Sequence, residues 1–158
     1  MTKYELTLTN EPVGQSYRIL LEHCFRVGST FGVVVRDYPE LSPSGNLLQK
    51  AILSAGGTSS RGSDWPGTVL LEEEATIIQI PTSEEVFQIV VEASRRLFEW
   101  VQPGLPEDPF FLKKDGAILL GTIAHERDAY LAGTLEELNY LAARLPGLFA
   151  VPPQPASE

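Results

Sequence analysis

"SYRILLEHCF", Ser16–Phe25, supports two readings, and the fold turns on which one holds. On a helix, Val13, Tyr17, Leu20, Leu21 and Cys24 line one apolar face at the 3.6-residue period. On a strand, alternation puts Tyr17, Ile19, Leu21, His23 and Phe25 on one side. The segment that follows, "RVGST" and then "FGVVVRD" (Phe31–Asp37), has turn residues leading into a β-branched run. That order favours a hairpin, so a strand is expected at Ser16–Phe25, with the helix as its rival.

Working outward, "KYELTLT" (Lys3–Thr9) alternates and reads as a strand. Ser42 followed by Pro43 is a helix start, and "NLLQKAILSAGG" a short helix near 44–55, stopped by Gly56 and Gly57. Gly56–Thr68 is expected to be a long flexible loop. "ATIIQI" (Ala75–Ile80) reads as a strand. Thr82 and Glu85 have capping-box spacing ahead of the stripe Val86, Ile89, Val90, Ala93 and Leu97, so a long helix is expected over 83–101. "FFLKKDGAILLGTIA" is a hairpin turning at Asp115-Gly116, and "AYLA" a further strand. Thr134 and Glu137 repeat the capping pattern before a C-terminal helix near 134–145.

Strands and hairpins mixed with helices indicate an α+β fold, a mainly antiparallel sheet packed by a long central helix and a C-terminal helix. One domain is expected over residues 1–150, with 151–158 ("VPPQPASE", closed by its glutamate) a disordered tail. Thr82, Glu84, Glu85 and Val86 echo Thr134, Glu136, Glu137 and Leu138. Shared capping chemistry accounts for this better than duplication.

The 158 residues carry a formal net charge of −9, with one cysteine and no basic run. Phosphate contacts need clustered Lys and Arg, so nucleic-acid binding is not expected, nor is attraction to an anionic membrane. The apolar runs are too short to span a bilayer, and the first residues lack a signal pattern. With a lone Cys24, a core thiol, the expectation is a cytoplasmic protein without disulfides. The excess negative charge would steer a basic partner toward the protein.

The chemical motifs are incomplete. "TIAHERDAY" (Thr122–Tyr130) gathers His125, Glu126, Arg127 and Asp128, but a zincin helix would need a second histidine where Ala129 stands, so no metal site and no cofactor are expected. "GTSSRG" lacks both the nucleophile-elbow glycine and the phosphate-loop lysine. The polarity of His125–Asp128 favours a solvated turn between two strands. The ionisable residues are expected to stand apart on the rims of the fold.

Three functions follow as expectations. The first is a small acidic protein that acts by protein–protein binding, in the manner of a bacterial immunity or inhibitor protein, on a basic partner. Its candidate contacts are Trp65, Glu72, Glu73, Glu74, His125, Glu126 and Asp128, although Trp65 also suits a lid on the core. The second is a small hydrolase or transferase with His125 as general base, aided by Glu126 or Asp128. The third is a self-associating structural subunit, the oligomeric state being unspecified by the sequence.

Overall fold

The computed structural model describes residues 2–156. It contains four α-helices and an eight-stranded sheet in which every strand pairing is antiparallel. The strands are β1 (Tyr4–Thr7), β2 (Thr30–Val35), β3 (Thr58–Gly62), β4 (Asp64–Trp65), β5 (Thr68–Val69), β6 (Ala75–Pro81), β7 (Glu107–Leu112), β8 (Ile118–Ile123), β9 (Asp128–Gly133) and β10 (Gln154–Pro155). The sheet runs β10-β1-β9-β8-β7-β2-β6-β3, with β4 and β5 forming a separate hairpin. The helices are α1 (Gln15–Val27), α2 (Pro43–Ser54), α3 (Glu84–Ala93) and α4 (Leu135–Arg144). The fold is α+β, as the sequence implies.

Ser16–Phe25 is helical, which overturns the expected strand. Tyr17, Leu20, Leu21 and Cys24 bury as the helical stripe requires, and His23 goes in with them. Gly28 ends the helix instead of turning a strand. Its N–H donates to the Cys24 carbonyl, and Ser29 leads directly into β2. The segment therefore contributes to a helical layer, and β2 pairs instead with β6 and β7.

All four helices bury side chains in one core with the sheet face that carries Phe31, Val33, Ile78, Ile80, Phe111 and Leu131. Period-2 alternation sends Val34, Ile77 and Phe110 to the opposite face, where Trp65 and Ala75 complete a second, smaller core. The β4–β5 hairpin covers that face. Gly32 permits this: a Cβ there would lie 2.0 Å from Phe110 Cζ, so only glycine leaves room for the ring.

Three other expectations are corrected. Gly56–Thr68 is not one flexible loop, since it supplies the edge strand β3 and most of the covering hairpin. The helix expected over 83–101 ends at Ala93. Ser94 is extended, and its hydroxyl donates to the Arg96 carbonyl while accepting from the Arg96 N–H, which satisfies the backbone locally. A 3-10 turn, Leu97–Glu99, then places Trp100 in the core, where its indole donates to the Tyr17 hydroxyl at 3.0 Å. The N-cap of α3 is Ser83, whereas the Thr82 hydroxyl donates to the Gly28 carbonyl. α2 starts at the Ser42 cap and α4 carries the full Thr134–Glu137 capping box. Of the tail, Gln154–Pro155 pair with β1, and Ser157 and Glu158 lie outside the described residues. Among the described residues, no helix is long and apolar enough to cross a membrane.

Candidate functional site

Two buried acids, Glu107 and Asp108, gather with their donors at the end of the sheet where β7 begins. β7 opens with Glu107 and Asp108, both buried. Consecutive strand residues normally point to opposite faces. Here the register against β2 shifts: Gly32 pairs with Phe110 but Val34 pairs with Glu107, so β7 carries one extra residue. Pro109 offers no N–H to the ladder, and Asp108 takes the left-handed conformation at φ 54°. The bulge turns both carboxylates toward one place.

Each acid is held by donors. Asp108 Oδ1 accepts from the Ala124 N–H at 2.9 Å and Oδ2 from Trp65 Nε1 at 3.0 Å. Glu107 Oε2 accepts from the Gln102 N–H at 3.3 Å, and Oε1 lies 3.8 Å from Arg36 Nε. The Arg36 guanidinium sits 5.1 Å from the centre of the Trp65 ring. The Gln102 side chain in turn clasps the backbone of Arg36 from both its amide ends.

Above these acids stands His125. It lies on a 3-10 turn, Ala124–Glu126, between β8 and β9, and its ring is exposed. Arg127 closes the turn in the left-handed region at φ 57°. Its guanidinium reaches Glu11 Oε1 at 3.3 Å and covers the Phe98 ring, while Glu11 also pairs with Arg96 and accepts the Phe98 N–H. The turn is therefore tied to the segment after α3. One ligand atom from each of Glu107, Asp108 and His125 lies within 4.8 Å of the others.

This corrects the expectation that ionisable groups stay apart on the rims. It also changes which acids accompany His125: Glu126 and Asp128 are exposed and outside the cluster, and Glu107 and Asp108 take that place. Sequence reasoning missed the last two because they precede His125 by a whole hairpin. The one signal available was "EDPFFL", two acids opening an otherwise apolar buried strand.

Trp65, expected among the partner contacts, is only 4% exposed and serves as the lid of the smaller core. Glu72, Glu73 and Glu74 are exposed, on the segment between β5 and β6. Leu71 before them is 94% exposed, Val69 is 68% and Tyr38 is 85%. Arg61, on β3, joins these parts: it is bidentate to Asp37 at 2.7 and 2.9 Å and donates to the Glu74 carbonyl at 3.3 Å. That hydrogen-bonded pairing holds the Asp37 carboxyl below its ordinary range. Arg61 thereby links Asp37, next to Tyr38, to Glu74 at the end of the acidic run.

His23, the other imidazole, is buried within the helical layer, and neither of its nitrogens has a hydrogen-bond partner among the described residues. Cys24 beside it is fully buried, and burial pushes its thiol pKa well up, which disfavours the thiolate. Compared with known proteins, the chain matches no protein-family model, no curated protein and no solved structure.

Proposed function

We propose that the protein acts by binding another protein that presents a basic face, in the manner of an immunity or inhibitor protein. The observation that carries this reading is the surface assembled by Arg61. Exposed Tyr38 follows Asp37 and exposed Leu71 precedes Glu72–Glu74, and Arg61 links the two segments; Glu40, Asp64 and Val69 are exposed as well. Scattered exposed apolar residues are ordinary on a soluble surface, but apolar anchors next to acidic residues match what a basic protein partner would use. The formal charge of −9 would speed encounter with a cationic partner, and the apolar residues would hold it. His125, Glu126 and Asp128 are exposed too, on the turn after β8 and at the start of β9.

Affinity capture tests this reading. A basic protein is expected to be retained by the native chain at low salt and released at high salt, and to be lost from the Leu71→Asp variant. A chain that retains no basic protein, or retains it equally with Leu71→Asp, refutes the proposal.

The convergence of Glu107 and Asp108 on His125 supports a second reading, a small hydrolase or transferase with His125 as general base. It requires turnover that disappears in His125→Ala while the fold persists.

A further inference from the structure

We propose that Glu107, Asp108 and His125 form a binding site for one divalent transition-metal cation of the zinc or manganese class. The proposal goes beyond the binding function above and stands apart from it.

Spacing is the first argument. Metal–oxygen and metal–nitrogen bonds of about 2.0–2.2 Å place two ligand atoms of one ion roughly 3.4 Å apart in a tetrahedron and about 4.2 Å apart across an octahedron. The three donor atoms lie within 4.8 Å of one another, close enough for side-chain rotation to bring them onto a common centre. Despite this proximity, His125 makes no hydrogen bond to either carboxylate among the described residues. An imidazole that served only to satisfy a buried acid would donate to it directly. Here the three groups surround a point without meeting.

Orientation is the second argument. Carboxylates that ligate metals are themselves held by donors behind them. Asp108 has such donors on both oxygens, from Trp65 and Ala124, and Glu107 has the Gln102 N–H. These bonds leave lone pairs on each oxygen for a further partner. The bulge and the left-handed Asp108 bring two successive acids to one side, which a regular strand would not do.

Donor chemistry selects the ion. Two carboxylates and one imidazole suit zinc, manganese or ferrous iron, whereas calcium and magnesium favour all-oxygen shells of six or more ligands. Arg36, 3.8 Å from Glu107 Oε1, offsets one of the two formal negative charges, so binding is moderate and not of structural-zinc strength. His125 is exposed, so the remaining coordination positions open to solvent.

The test is calorimetric titration of the full chain with Zn2+ and Mn2+, with Mg2+ as the contrast. The expected result is one ion per chain for Zn2+ or Mn2+ and at least tenfold weaker binding in both His125→Ala and Glu107→Gln. Indole fluorescence should change on addition of metal, because Trp65 is bonded to a ligating carboxylate, and this response should vanish in Trp65→Phe. Circular dichroism identical to the native chain keeps His125→Ala interpretable, since the replaced ring is exposed. Removing the acidic run in a Glu72→Gln, Glu73→Gln, Glu74→Gln variant should leave the affinity unchanged. Absence of saturable binding, unchanged affinity in His125→Ala, or loss of binding with the acidic run would each overturn the site.

Discussion

Trp65 donates its indole N–H to Asp108 Oδ2 at 3.0 Å, a bond between two buried residues 43 positions apart in the chain. It fastens the β4–β5 hairpin to the bulged start of β7. Trp65→Phe keeps most of the ring but leaves a buried carboxylate oxygen without its donor. The expected loss is about 1–3 kcal/mol of stability. Urea unfolding should show a lower midpoint at an unchanged slope, and a double-mutant cycle with Asp108→Asn should show the two effects to be non-additive.

Gly32→Ala should be strongly destabilising, by about 1–3 kcal/mol, because the new methyl would meet the Phe110 ring and that ring is walled in. The clash is specific, so Phe110→Leu in the same chain should recover part of the loss. Equal melting temperatures for the single and the double variant would show that the crowding lies elsewhere.

His23 makes stability depend on pH. Burial lowers its pKa below the ordinary 6.5, with Arg26, Lys113 and Arg144 pushing the same way and Glu137 opposing. The native chain thus holds His23 neutral, while the unfolded chain takes up a proton near the ordinary value. Stability from this source is complete above about pH 6.5 and declines as the pH drops below it, toward the depressed native value. In His23→Leu that slope should flatten, and two buried nitrogens without partners disappear with it. Denaturant midpoints measured across pH 5–8 check this.

Thr134→Ala removes one half of the capping box of α4 and should cost about 1 kcal/mol. Burial tends to raise the Glu137 pKa, but the hydrogen bonds from the Thr134 backbone and hydroxyl and the nearby Lys113 prevail, and the net shift is downward. This contribution is present above the ordinary carboxylate value of 4.5 and fades at lower pH, so it separates from that of His23. Thermal melts of the variant at neutral and mildly acidic pH read both effects.

Legibility in the sequence followed the range of the interactions. The caps at Ser42 and Thr134, the Asp115-Gly116 turn and the strand at Ala75–Ile80 are local, and each stands where the residues put it. Ser16–Phe25 was misread because both periods fit it, and only the packing of Tyr17, Leu20, Leu21 and Cys24 against the sheet decides between them. Ser94 ended α3 early through a hydroxyl bridge that no periodicity reveals. At the candidate site, His125 was visible as part of an unusual polar turn. Its companions Glu107 and Asp108 were not, since their convergence depends on a bulge and on Trp65 reaching in from a distant hairpin.

The position of β2 governs how the chain finds its structure in time. Its partners β6 and β7 come from much later in the sequence, with Thr30 facing both Pro81 and Leu112. The middle of the sheet therefore closes only when long loops are drawn together. Refolding from denaturant should fall in the slow range of about milliseconds to seconds typical of non-local pairing.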